Sequence, residues 1–195
     1  MESPKGSSKV LPDNAFRKLE PGEEYKPVHG PDESPPEVTW RSVILGMLAV
    51  VIFTFAAAYI GLKTGNVIET SIPIAILAVF FGNTVMRWFG DGRRNTLLEN
   101  VIVQSLGQAS GVVVAGAIFT IPALYVNQLD PNFFHIFFAC LLGGYLGVVM
   151  LIPLRRYFVR DLHGDLPFPE ATAIANVLAS GEKSKGASGK VLLYA

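Results

Sequence analysis

Four long intervals of this chain contain no Asp, Glu, Lys or Arg, and they constrain its fold more than any other feature. A helix that crosses about 30 Å of hydrocarbon needs roughly 20 apolar residues. Strands of a membrane barrel would be short and would alternate polar with apolar side chains. Because backbone groups in lipid must be hydrogen-bonded within the protein, runs of this length predict helices. The uncharged intervals are residues 42–62, 70–86, 100–129 and 131–154.

The composition agrees with a membrane environment and excludes several classes of protein. Charged residues make up 16% of the chain, against about 25% in soluble domains. No basic stripe with interleaved aromatic residues occurs, so we expect no nucleic-acid partner. Cys140 is the single cysteine, which excludes a disulfide within the chain and any CxxC motif. We therefore expect an all-α integral membrane protein, a polytopic transmembrane helix bundle, with no cofactor and no metal site.

Lys and Arg alternate along the loops and predict the topology. They are frequent before the first interval, reduced to Lys63 after it, and frequent again at Arg87, Arg93 and Arg94. The next loop has none, and Arg155, Arg156 and Arg160 follow the fourth interval. Cytoplasmic loops carry the excess of Lys and Arg. The pattern predicts an N-terminus in the cytoplasm and four crossings. With the uncharged intervals it leads us to expect a multi-pass protein of the cell (inner) membrane with helices at about 42–62, 70–88, 100–126 and 132–154.

The regions outside these helices give three further expectations. Residues 1–39 are polar and rich in Pro, and we expect a disordered cytoplasmic tail, with a regulatory or docking peptide as the alternative. Residues 40–195 form the transmembrane domain. Apolar residues from 191 on predict the start of a further helix, so we expect this domain to be incomplete and the chain to be a fragment or a truncated reading frame.

A short helix is predicted at about residues 169–180. Pro169 suits the first turn of a helix, where its missing N–H is no loss. Roughly ten residues extend only about 15 Å, so this helix cannot span the membrane. It is either re-entrant, in which case its N-terminal end can face a substrate, or an interfacial linker.

The third predicted helix carries one polar and small stripe. Amides cannot face lipid without a hydrogen-bond partner, so the stripe faces other helices or a wet cavity. It is either a packing surface with amide cross-links or the lining of a pathway. The stripe contains Asn100, Gln104, Gly107, Gln108, Gly111 and Ala115, and the opposite side carries Val101, Ile102, Leu106, Val113 and Val114.

Two kinds of candidate residue complete the set. Gly107 with Gly111, and Gly143 with Gly147, are small-xxx-small pairs that let helices approach closely. A proton-coupled carrier needs a group that changes charge during its cycle. The candidates for that group are Glu69, Glu99 and Glu170, each with the alternative of a boundary residue in contact with water or a basic neighbour.

Three stretches resemble the N-terminal portion of prokaryotic members of the oligopeptide transporter family. The most specific is the Leu-Pro-Phe-Pro-Glu segment, although Ala171 stands where relatives often have Gly. The stretches are GLKTGNVIETSIP (residues 61–73), ENVIVQSLGQASGVVVAGAIFTIPALYV (99–126) and LIPLRRYFVRDLHGDLPFPEATAIANVLASGE (151–182).

The resemblance implies a secondary transporter that moves short oligopeptides, usually with protons, and has more helices than this chain. One alternative is a carrier of metal chelates, siderophore-like or nicotianamine-like, in the same family. Another is a non-transporting scaffold or fragment. The expected partners are a short-peptide or small-molecule substrate, the lipid bilayer and the remaining helices. We expect no enzyme, because neither HExxH nor a serine elbow occurs.

Overall fold

The computed structural model describes residues 11–25, 27–30, 32–82, 95–166 and 168–183. Within these ranges the regular secondary structure is helical and no strand occurs. Three expectations lie outside them: residues 83–88 of the second predicted helix, the basic residues Arg87, Arg93 and Arg94, and the helix predicted from 191.

In the part of the chain that the structure describes, five α-helices carry the fold, and several extend beyond their predicted bounds. The first begins two residues earlier and ends two later than expected, and the third begins three residues earlier. A short 3-10 helix, Asp13–Ala15, precedes them. The helices are α1 (Trp40–Thr64), α2 (Ser71–Phe80), α3 (Leu97–Val126), α4 (Phe133–Arg156, continued by a π-helical segment Tyr157–Asp161) and α5 (Pro169–Lys183).

Local signals explain where α1 begins and ends. The Thr39 hydroxyl accepts a hydrogen bond from Ser42 N, and the Ser42 hydroxyl accepts one from Thr39 N, which forms a capping box. At the other end Gly65 adopts φ +70° and donates its N–H to Gly61 O at 2.8 Å. A left-handed residue at this position is usually Gly, because a Cβ would be strained there.

Helices α1 and α3 lie side by side and run in the same direction. A Cβ added to Gly46 would lie 2.6 Å from Leu106 Cδ1, and one added to Gly61 would meet Ile118 Cδ1. Contacts that advance together along both helices define a parallel pair. Since α1 and α3 begin on the same side, the chain between them returns to that side.

Helix α2 runs antiparallel to α3. Thr70 packs against Gly111 and Ile74 against Gly107, where added Cβ atoms would lie 2.6 Å from Thr70 Oγ1 and Ile74 Cγ2. Near the other end, a Cβ on Gly82 would lie 2.6 Å from Asn100 Oδ1. The contacts advance in opposite directions, so α2 belongs to the returning part of the chain.

Helix α5 packs against α2 and the first half of α3. Leu178 forms a buried apolar cluster with Ala75 and Val79 of α2. A Cβ on Gly181 would lie 2.7 Å from Val79 Cγ2, so the end of α5 approaches α2 closely. This packing places the beginning of α5 beside the polar stripe of α3.

Among the described residues, three helices are long and apolar enough to cross a membrane: Trp40–Thr64, Leu97–Val126 and Phe133–Asp161. None of the residues of α4 is buried in the structure, although the helix is apolar along its length. Apolar surfaces of this extent are stable in contact with lipid or other protein, not with water. The fold is therefore that of a multi-pass helical membrane protein, as the sequence predicted.

Two details of the third helix differ from the sequence analysis. Val114, assigned to the outer side, is 3% exposed, and Val101 packs against the apolar cluster of α2 and α5. Val114 lies seven residues after Gly107, which is close to two full turns, so both share one face. The prediction was therefore wrong for these two valines. It assigned residues to the two sides of the helix partly by their polarity, whereas their angular position around the helix decides which face they lie on.

Candidate functional site

A cavity of about 420 Å³ lies between α3 and α5, and it brings three of the predicted site residues together. Gln104 and Gln108 line it from α3, and Glu170 lines it from the first turn of α5. The rest of its helical wall is apolar and includes Leu97 and Ile174. Concave apolar sites with a few placed polar groups are the usual form of a small-molecule site.

The two amides in this cavity are joined to each other. Gln104 Nε2 donates a hydrogen bond to Gln108 Oε1 at 2.8 Å, and Gln104 is only 6% exposed. The four-residue spacing puts both side chains on one face of α3. A glutamine amide has two donor hydrogens and an acceptor oxygen, so the pair retains capacity to bind a ligand's donors and acceptors.

Glu170 adds the carboxylate of the cavity. It follows Pro169 in the first turn of α5 and its side chain is exposed. The N-terminus of a helix carries partial positive charge, which favours a carboxylate at this position. Together the carboxylate and the two amides can bind a cationic group and the polar atoms of an amide-containing ligand.

Glu99 lies elsewhere, at the joined beginnings of α1 and α3. It is 0% exposed, and its Oε1 accepts a hydrogen bond from Thr39 Oγ1 at 2.6 Å. Its Oε2 accepts one from Thr96 N at 2.8 Å, within the capping box of α3. This geometry gives Glu99 a role in helix capping and helix association.

Glu69 lies outside the cavity as well, just before α2. The carboxylate accepts hydrogen bonds from the backbone N–H of Ser71, at 3.2 Å, and from the Ser71 hydroxyl. The side chain is exposed. Its contacts are those of a residue that stabilises the beginning of a helix.

Asn100 belongs to a second polar group, between α3 and the end of α2. Asn100 is 2% exposed and Asn95 is 7% exposed. In the described part of the protein, Asn100 Oδ1 and both polar atoms of the Asn95 side chain lack a hydrogen-bond partner. Gly82 lies against both side chains. The sequence analysis identified Asn100 but not Asn95.

The four glycines of the small-xxx-small pairs fall into two classes. Gly107 packs against Ile74 of α2 and Gly111 against Thr70, so this pair allows a close contact between α3 and α2. A Cβ on Gly143 or Gly147 would meet no atom within 4 Å among the residues that the structure describes.

The sequence analysis missed partners that lie far away along the chain. Thr96-Leu-Leu-Glu99 is a capping-box pattern, and that signal could have placed the start of α3 and the role of Glu99. Leu11 and Val28 of the N-terminal region line the cavity opposite α3 and α5, and no periodic signal identifies them.

The fold and the cavity together define a polytopic helical membrane protein with a polar site between its helices. The model of the OPT oligopeptide transporter protein family matches residues 37–195. The chain belongs to this family, as the sequence resemblance indicated.

Similar proteins carry two kinds of name. The chain is 35% identical over 133 residues to the "Putative oligopeptide transporter" of Haemophilus influenzae, which covers 67% of this chain and 19% of that protein. It is 22% identical over 168 residues to the "Probable metal-nicotianamine transporter YSL8" of Arabidopsis thaliana, covering 77% and 23%. The chain thus spans about a fifth of the length of these relatives. No solved structure matches the chain.

Proposed function

We propose that the chain contributes to the substrate pathway of a secondary transporter for short oligopeptides, coupled to protons. The observation that supports this proposal most directly is the cavity in which Gln104, Gln108 and Glu170 converge between α3 and α5. Family membership and the name of the Haemophilus influenzae relative agree with it.

The chemistry of the cavity suits a peptide. A peptide has an ammonium end and a series of N–H donors and C=O acceptors. The carboxylate of Glu170 can pair with the ammonium group, and the amides of Gln104 and Gln108 can bond the backbone. Glu170 also places an ionisable side chain at the cavity, and a proton-coupled carrier needs such a group on its substrate pathway.

Helix α5 is proposed to be re-entrant, not interfacial. Leu178 and Ala179 are buried, and the end of the helix packs closely against Val79 of α2. An interfacial helix would contact headgroups along one side instead of packing into the bundle. A half-helix whose N-terminus borders a cavity is a common device in transporters.

The side on which α1 and α3 begin is proposed to be the cytoplasmic side of the cell (inner) membrane. The alternation of basic and non-basic loops favours this orientation. The parallel arrangement of α1 and α3 is consistent with it, because two helices of the same direction require a return crossing between them.

The test is uptake of labelled tri- to penta-peptides into proteoliposomes that contain the protein expressed from its complete reading frame. Uptake is measured with and without an inward proton gradient, in the parent and in Glu170→Gln. We expect gradient-driven uptake in the parent and its loss in Glu170→Gln. Glu69→Gln is the matched control, since Glu69 is an exposed carboxylate outside the cavity, and it should keep the uptake of the parent.

Each outcome decides a different part of the proposal. If Glu170→Gln retains gradient-driven uptake, the carrier stands and the role of Glu170 is wrong. If uptake in the parent is indifferent to the gradient, coupling to protons is wrong.

A second candidate is transport of a metal chelate, which the name of the Arabidopsis thaliana relative favours. The same proteoliposomes, given radioactive iron bound to nicotianamine or a siderophore, test it. Chelate uptake without peptide uptake would favour this candidate. A folded protein that takes up neither substrate would support a scaffold without transport.

A further inference from the structure

Residues 11–25 and 27–30 of the N-terminal region, here called the strap, contact the connection between α4 and α5. Lys18 Nζ lies 2.7 Å from Asp165 Oδ2 and 3.0 Å from Oδ1. His163 Nε2 lies 3.0 Å from Asn14 O, and the ring of Tyr25 lies 5.9 Å from that of His163. Polar, charged and aromatic contacts therefore meet at one short loop.

At Gly164 the backbones of the strap and of the α4–α5 connection approach each other closely. Its φ is +77°, and a Cβ there would lie 2.6 Å from Lys18 Cα and would also meet Lys18 N and Arg17 C. The strap backbone thus crosses directly over Gly164. A side chain at this position would be strained by its own backbone and would displace the strap.

The strap also has contacts of its own that shape it. Arg17 donates two hydrogen bonds to the carboxylate of Glu23, at 2.7 and 2.8 Å. Asn14 Nδ2 donates to Glu24 O at 3.3 Å. These bonds close residues 14–24 into a compact loop, so the strap presents a defined surface to the α4–α5 connection.

The two ends of the strap reach the cavity between α3 and α5. Leu11 and Val28 line it, together with Gln104, Gln108 and Glu170 of the helices. The anchor at Gly164 and Asp165 holds the middle of the strap, while its apolar ends cover one side of the cavity. The described part of the region predicted to be a disordered tail therefore contacts the candidate site.

We propose that the strap is an intramolecular gate: docked on the α4–α5 connection, it restricts entry to the cavity from the side on which α1 and α3 begin. The role of the gate in transport rests on the proposed function, whereas the closure itself does not. Lys18 and Asp165 have 69% and 40% of their side-chain surface exposed. An exposed ion pair is individually weak, so the gate can be released.

The test measures access to the cavity without using transport. The protein from its complete reading frame receives Ile174→Cys in the cavity wall, with Cys140 and every further cysteine of that reading frame replaced by Ser. It is then labelled in detergent with a polar maleimide. Lys18→Glu should raise the labelling rate about fivefold or more, since the rate follows the population of the open state. Lys18→Glu combined with Asp165→Lys restores the pair and should return the rate to that of the parent.

A second variant separates release of the strap from strain in the loop. Gly164→Ala should also speed labelling. Gly65→Ala is its matched control, because Gly65 has φ +70° but no atom within 4 Å of its added Cβ, and it should leave the rate unchanged. Leu129→Cys in place of Ile174→Cys, in the distant loop after α3, should label at one rate in every variant.

The outcomes are decisive for the gate and distinct from those for transport. Parental labelling rates in both Lys18→Glu and Gly164→Ala overturn the gate, whatever the uptake. Faster labelling in a protein that takes up no peptide or chelate supports the gate and counts against the proposed function.

Discussion

The Thr39 hydroxyl donates a 2.6 Å hydrogen bond to the Glu99 carboxylate, and this bond joins the first turn of α1 to the first turn of α3. The two residues lie 60 positions apart. Because Glu99 is fully buried, loss of one of its donors weakens the hydrogen bonding of a desolvated carboxyl group.

Thr39→Val should therefore destabilise the bundle by about 1–3 kcal/mol, because it removes a donor of the buried Glu99 carboxyl group together with the N-cap of α1. The measurement is the thermal melting temperature of the detergent-solubilised protein. Thr120→Val is the control, since the Thr120 hydroxyl bonds only to Gly116 O in its own helix and is exposed. Equal melting temperatures for Thr39→Val and the parent would contradict the role of this bond.

Gly107→Ala should destabilise the protein more than Gly147→Ala. A Cβ on Gly107 would lie 2.6 Å from Ile74 Cγ2, and overpacking of this kind costs about 1–3 kcal/mol. Alanine also gains about 1 kcal/mol of helix propensity over glycine at either position. Comparison of the two melting temperatures cancels this gain and leaves the clash. If Gly147→Ala is as harmful as Gly107→Ala, Gly147 contacts helices beyond the described residues.

Much of the helical architecture could be predicted because a single physical rule produces it. A run of uncharged residues long enough to cross a bilayer must satisfy its own backbone, so α1, α3 and α4 could be located from the sequence. The amide stripe was predictable in the same way, because Gln104 and Gln108 cannot face lipid unpaired. These inferences need only local sequence and the properties of the surrounding medium.

The pairing of distant residues could not be predicted. Nothing in the sequence couples Thr39 to Glu99, or Lys18 to Asp165, since such contacts depend on how the helices and loops assemble. On sequence alone, Glu69, Glu99 and Glu170 were therefore equivalent candidates for the residue that couples transport to protons. Only their placement separates the two that stabilise helix beginnings from Glu170, which borders the cavity.

The loop between Arg17 and Glu23 in the strap should loosen in acid. Bonds to the Glu20 backbone and to Arg17 lower the pKa of Glu23 below its ordinary value of 4.5. A lowered pKa means that the stabilisation is complete above pH 4.5 and is lost as pH falls through the folded-state pKa. With Cys140 and every further cysteine of the complete reading frame replaced by Ser, spin labels at Glu24→Cys and Leu166→Cys should show a distance distribution that broadens below pH 4.5.

Glu23→Gln provides the control for this titration. The amide cannot ionise and cannot form the same pair with Arg17, so the distribution should be broad at neutral pH and should not change in acid. A narrow, pH-independent distribution in both proteins would show that the Arg17–Glu23 pair does not hold the loop.

Under the proposed function, Gln108→Leu should reduce peptide uptake about tenfold, which corresponds to roughly 1.4 kcal/mol of lost interaction. The substitution removes the acceptor of Gln104 Nε2 and replaces a polar part of the cavity wall by an apolar one of similar size. The buried amide of Gln104 then has no acceptor on residue 108, and an unpaired buried amide costs free energy both with substrate bound and in the empty cavity. Ser105→Ala is the matched control, because Ser105 is an exposed polar residue on the same turns of α3 that does not line the cavity.

Initial rates over a range of peptide concentrations separate the two interpretations of the amide stripe, a pathway lining and a packing surface. A raised KM with unchanged melting temperature indicates contact with substrate, whereas a lowered melting temperature with unchanged KM indicates that the amides only join helices.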